Sequence, residues 1–229
     1  MDGVVFNNKA ALQKVATRAT KYVAKRTGAH KPEAEMINSI LYKTYGHTLI
    51  GLQKVYGVPI TTTDFNTYVY DDDVLHTVDA IDMDADASLV KNSVDIRYVC
   101  KTCKKNDIDV YVFSNAPQAW CAAILQKMQL DREIPLDNVI ASDHDVFEGA
   151  LKPTKSVYDN MWNYLSHKMR DGSIQVHLVD DSFINMTPIL GNTRWKPVYF
   201  TGDGPKFANK RMASISSLYE LNQMLQIQV

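Results

Sequence analysis

The strongest constraint on this chain is a change of pattern near residue 107, after which short apolar runs alternate with amphipathic helical stretches. Val110-Tyr111-Val112-Phe113 leads at once into Ser114-Asn115-Ala116-Pro117, which reads as a helix start with Pro117 in the first turn. Val139-Ile140 reads as a short strand, and Lys152-Pro153 opens a helical pattern around Val157 to Leu165. Ile174 to Val179 reads as a strand ending in Asp180-Asp181-Ser182, Pro197 to Phe200 as another, and Ser214 to Leu225 as a closing helix. Strands separated by helices pair in parallel and are covered on both faces, which predicts an α/β fold with a Rossmann-like open parallel sheet. Ligands of such sheets sit at the carboxyl ends of the strands.

The first hundred residues follow a helical period instead. Ala11, Leu12, Val15, Ala19, Tyr22 and Val23 recur at helical spacing up to Gly28, a C-cap. Pro32 opens a second helix, with Met36, Ile37, Ile40, Leu41 and Tyr45 expected on one face and Gly46 as its stop. Further helices are expected over Leu49 to Tyr56, Thr63 to Tyr70 and Leu89 to Lys101, with Thr62-Thr63-Asp64 as N-cap chemistry for the second of these. Asp71-Asp72-Asp73 and the run from Asp82 to Asp86 read as loop carboxylates. The domain expectation is therefore an α/β core of residues 1–8 and 104–229 with an inserted all-helical cap over 9–103.

Composition narrows the function. Lys and Arg number 25 against 26 Asp and Glu, a net charge of -1, without the basic footprint that nucleic-acid binding demands. No apolar run reaches the ~20 residues of a bilayer span, and Met1 to Asn8 carries no pattern of a secretory leader. Three Cys cannot build a disulfide framework, so an intracellular, reducing compartment (cytoplasm or organelle matrix) is expected. Cys100 and Cys103 are spaced as Cys-x-x-Cys but lack a second ligand pair, and His177 is expected to be a satisfied core histidine.

Three clusters fall at expected strand ends. Ser114 and Asn115 offer polar groups and backbone N–H groups at a helix start, which suit a phosphate and equally suit an ordinary cap. Lys152, held extended by the following proline, can present an ammonium to an anion or to solvent. Asp180 and Asp181 repel each other unless a hard cation such as Mg²⁺ lies between them or the turn is solvated.

In order and spacing, Phe113-Ser114-Asn115-Ala116, Lys152-Pro153 and Val179-Asp180-Asp181-Ser182 with Asn185 resemble motifs II, III and IV of the haloacid dehalogenase (HAD) superfamily, and more narrowly its pyrimidine 5′-nucleotidases. Tyr45 to Leu52 and Asp64 to Val69 are similar to that family's helical cap, so the resemblance spans nearly the whole chain. It implies a Mg²⁺-dependent phosphatase acting through an aspartyl-phosphate, on a small phosphorylated metabolite or nucleotide. Ser114, Asn115 and Lys152 would bind the phosphoryl group, and Asp180 with Asp181 the metal. Met1-Asp2-Gly3-Val4-Val5-Phe6 resembles the first motif entered halfway, with Asp2 at the general acid/base position and the nucleophile one position ahead of Met1. The first core strand would then be largely missing from residues 1–229, and phosphoenzyme formation is not expected from them alone.

Three arrangements follow from this. Upstream residues supply the strand, a protein partner supplies it, or Gly3 to Phe6 slides into its place and puts Asn7 and Lys9 where the aspartates belong. The alternative function is a non-catalytic pseudoenzyme serving as a scaffold or subunit of a larger assembly.

Overall fold

The computed structural model describes residues 1–169, 174–202, 204, 205 and 211–226. Six helices come first: α1 (Lys9–Thr27), α2 (Lys31–Tyr45), α3 (Thr48–Tyr56), α4 (Thr62–Val69), α5 (Asp72–Asp79) and α6 (Ala87–Lys105). The Asn8 side chain caps α1 by accepting from the Ala11 N–H, and Gly28 closes it in the left-handed conformation at φ 75°. Gly46 and Gly57 end α2 and α3 in the same way. The capping box of α4 sits one residue earlier than expected: Thr61, not Thr62 or Thr63, is the cap, and Asp64 returns a bond to its backbone. The carboxylates at 71–73 are not in a loop, because Asp71 caps α5 and Asp72 and Asp73 occupy its first turn. On α2 the buried face runs through Ala34 and Leu41, whereas Met36 and Ile40 are exposed. α1, α2 and α3 pack on one another and α4 packs on α1, forming a helical cap.

The domain boundary expected at 103/104 falls inside α6. That helix packs against α10 (Leu218–Gln226), and its Ile96, Val99, Cys100 and Cys103 share one apolar cluster with β1 (Val112–Phe113), β2 (Val139–Ile140) and α7 (Gln118–Lys127). α6 thus belongs physically to the α/β core, with α5 lying against α7.

The core has the expected parallel strands. β1 pairs with β2, while β3 (Val176–Asp180), β4 (Trp195–Phe200) and β5 (Ala213–Ile215) form a second parallel ladder in the order β3-β4-β5. Instead of one continuous sheet there are thus two ladders, and β5 lies where the closing helix was expected to begin. Ser216 explains the difference, since it turns the chain by donating from both N–H and Oγ to Glu220, so the helix begins at Leu218. α8 (Lys155–Met169) and the short α9 (Phe183–Met186) complete the core.

Met1 to Phe6 form neither a strand of either ladder nor a slid replacement for one. Gly3 N–H donates to the Phe6 carbonyl and Val5 N–H to that of Met1, folding the segment into a compact turn. Phe6 is fully buried edge-on against Trp120, with centroids 5.9 Å apart. Asn7 is exposed and bonds Ser88, and Lys9 starts α1 at the surface, so the arrangement that placed them in the site is overturned.

Candidate active site

The carboxyl ends of β1 and β3 and the turn at Met1–Gly3 open into one cavity of about 490 Å³ beneath the cap. Asp2, Ser114, Asn115, Lys152, Asp180 and Asp181 all line it. These side chains are far apart in sequence, and the parallel strands bring them together because successive strands end at the same edge of the fold.

Lys152 and Asp180 form its centre. The Lys152 ammonium lies 2.9 Å from Asp180 Oδ2 and donates at 2.9 Å to the Phe113 carbonyl; both residues are buried. Asp180 also accepts from the Ser182 N–H at 2.8 Å and from Asn185 Nδ2 at 3.2 Å to each oxygen. Burial pushes the Asp180 carboxyl up, but the Lys152 charge and the hydrogen bonds outweigh it, so it is held below the usual carboxylate range. Asp181, whose surface opens to the cleft, is pushed up to about 6, first by desolvation of its carboxyl and then by the charge of Asp180. Two adjacent acids thus carry different protonation tendencies.

Asn115 is committed differently from expectation. Its Oδ1 accepts from the Lys152 N–H at 2.8 Å and its Nδ2 donates to the Lys152 carbonyl at 2.9 Å. The side chain is a brace that fixes Lys152 rather than a free phosphate ligand. The helix start is also more occupied than expected: Ala116 N–H goes to Ser114 Oγ and Gln118 N–H to Asp143. Ser114 itself is buried at the cavity wall.

Asp2 is fixed by Trp120, whose indole Nε1 donates to Oδ1 at 2.9 Å. Burial raises its pKa despite the opposing charges of the amino terminus and Lys152 and the Trp120 bond. The turn at Gly3 has φ +78°, and a Cβ there would lie 1.9 Å from Asp181 Oδ2. A glycine is therefore what allows the backbone after Asp2 to approach Asp181.

The cap contributes residues that no local pattern marked. Tyr42 lines the cavity, and desolvation first and then the charges of Asp181, Asp180 and Asp2 push its hydroxyl up to about 12. Tyr70 feels burial first and then Asp2, and packs at 5.5 Å on Trp120. His47 is buried at the rim, caps α3 through Nδ1 and is pushed down to about 4 by desolvation, so it stays neutral. The sequence signal for Tyr42 and Tyr70 was membership of expected helices, and for His47 its place in the Tyr45 to Leu52 segment similar to the cap.

His177 is not the satisfied core histidine that was expected; its Nδ1 has no hydrogen-bond partner, and burial and Lys196 lower its pKa. Cys100 and Cys103 are buried with raised pKa values, Cys100 to about 12, which keeps both thiols protonated and unreactive.

The donor set bears on Mg²⁺ in kind. The carboxylates of Asp2, Asp180 and Asp181 in the cleft are hard oxygen donors, and Asn185 Oδ1 is buried beside Asp180 with no partner. No group of three or more His, Cys, Asp or Glu able to hold a metal comes together among the described residues. The donor types fit a hard cation in kind, but the described residues alone do not complete a ligand set for one.

No family model matches the chain, and no curated protein matches it. A solved structure similar to it is the orthorhombic form of YfnB from Bacillus subtilis, described as a HAD-hydrolase bound to magnesium. The two share 14% identity over 93% of this chain and 92% of that chain, with a TM-score of 0.49.

Proposed function

We propose that this cleft is the phosphate- and Mg²⁺-binding site of a HAD-like phosphohydrolase acting on a small phosphate monoester. The observation that carries the reading is the convergence of Asp2, Ser114, Lys152, Asp180 and Asp181 on one cavity, with Lys152 paired to Asp180 at 2.9 Å. Lys152 has a third N–H free of the Phe113 and Asp180 bonds to offer an anion, and Ser114 can add its hydroxyl. Asp180, Asp181 and Asn185 Oδ1 would hold Mg²⁺, which when bound neutralises charge on the phosphoryl oxygens.

Turnover needs a carboxylate that attacks phosphorus while the P–O ester bond breaks and its electrons pass to the leaving oxygen. Asp2, kept protonated longer by burial, gives that oxygen its proton and then takes one from the water that releases phosphate. No carboxylate among the described residues is assigned to that attack, so residues 1–229 are expected to bind phosphate without forming a phosphoenzyme. A nucleoside monophosphate suits the chamber, where Leu12, Val15 and Phe65 give an apolar wall and Asn38 and Ser39 a polar one. The intact Lys152–Asp180–Asn185 network favours a working site over a scaffold that has lost its catalytic function.

Titration of Mg²⁺ and inorganic phosphate into residues 1–229, followed by Trp120 fluorescence, tests this. Saturable binding that drops at least tenfold in both Lys152→Met and Asp181→Asn is expected. Binding that is absent, or indifferent to both substitutions, would refute the site. Hydrolysis of p-nitrophenyl phosphate by residues 1–229, lost on Asp180→Ala, would refute that expectation.

A further inference from the structure

α6 is apolar on two sides. Its Leu89, Ile96, Val99, Cys100 and Cys103 are buried in the core. Val90, Val94 and Tyr98 follow one another every fourth residue on the far side and face solvent, Val94 at 56% exposure and Tyr98 at 46%. Tyr219 of α10, also exposed, stacks on Tyr98 with centroids 6.2 Å apart and widens this second stripe. A surface helix ordinarily carries one apolar stripe and a polar opposite face, so the second stripe asks for a partner of its own.

The ends of the stripe say which partner. Beyond Tyr98 the same spacing reaches Lys101 and Lys105, both exposed, and Lys104 is exposed beside them. At the other end, just before the helix, stand the exposed carboxylates of Asp82 and Asp84. None of these five has an ion partner among the described residues, whereas Lys91 and Arg97 on the flanks are paired with Asp95 and Glu133. A stripe that is acidic at one end, apolar in the middle and basic at the other is complementary to itself, but only when reversed. Two copies laid parallel set Lys against Lys and Asp against Asp, and like charges there repel. Two copies laid antiparallel about Val94 set Val90 against Tyr98 of the second copy, and Lys104 and Lys105 against its Asp82–Asp84 segment. That arrangement has a two-fold axis, so it closes on itself as a pair and does not propagate into a filament.

We propose that the outer face of α6 is a self-association surface whose occupant is α6 of a second copy of this chain, antiparallel and with Val94 on the two-fold axis. This rests on the helix face and its charges, not on the phosphate chemistry of the cleft. One helix stripe from each copy falls below the roughly 1,200 Å² of a stable interface, so the pair is expected to form and dissociate in the micromolar range, at about 10–100 μM.

Sedimentation velocity of residues 1–229 across that range is the test. The weight-average mass should rise from one copy towards two and stop there. Val94→Asp, which sets two carboxylates against each other on the axis, should weaken association at least tenfold while the urea midpoint stays where it is, since the side chain is exposed. Lys105→Glu and Asp84→Lys should each weaken it at least threefold, and the two together should restore it to within twofold of the parent. A monomer at every concentration overturns the proposal, whatever else the stripe binds. A dimer indifferent to Val94→Asp places the contact on another face and overturns it as well. Loss in both charge variants without recovery in the double variant overturns the antiparallel order, and this comparison stands even if Val94→Asp fails to fold.

Discussion

At the residue scale, His47 shows how the cap edge of the cleft is tuned. It is buried, its Nδ1 accepts from the Leu49 N–H, and its ring meets Phe65 at 5.1 Å, so a charged ring there would lose hydration. With a folded pKa of about 4 against the ordinary value of 6.5, folding favours the neutral ring. That contribution is complete above pH 6.5 and is lost as the pH falls towards 4, at a cost of up to about 3 kcal/mol. His47→Asn, which keeps a cap for α3, should flatten the fall in urea-unfolding stability between pH 7 and 4 relative to the parent; an identical pH profile would show that another group sets it. Ser114 and the Asp180-Asp181 pair were legible in the sequence because each follows an apolar strand pattern, and Lys152 because a proline follows it. His47, Tyr42 and Tyr70 were not, because a helix periodicity says which face is apolar and not which loop it will cover.

Among the elements, caps and stops decided the boundaries. Gly28 and Gly46 marked helix ends correctly because the left-handed φ they adopt is a local demand. α4 was displaced by one residue because three consecutive threonines offer the same hydroxyl, and the choice fell to the one whose partner three positions on, Asp64, could close the box. Thr61→Ala should therefore destabilise the protein by about 1 kcal/mol, seen as a lower thermal midpoint, whereas Thr63→Ala should leave it nearly unchanged. The same reasoning explains β5. Three residues give too short a pattern to register, and the Ser216–Glu220 bonds mimic the start of the helix that follows.

For the whole molecule, pairing predicts a gradient of protection. Among the described residues β4 is bonded on both sides, by β3 and β5, whereas β1 and β3 are each bonded on one. Amides of residues 196–200 should therefore exchange more slowly in residues 1–229 than those of 112–113 or 176–180, as read by mass spectrometry; equal rates would mean the outer edges are protected in solution. The parallel α/β class was readable from the alternation of apolar runs and helices. The division into two ladders and the transfer of α6 to the core were not, since both depend on contacts between segments remote in sequence. Met1 lines both the polar cleft and an apolar groove bordered by Val112 and Val179, so the two compartments meet at that residue. Thermodynamic reciprocity follows: to whatever extent an occupant on one side tightens the grip on the other, the second must tighten the first by the same factor.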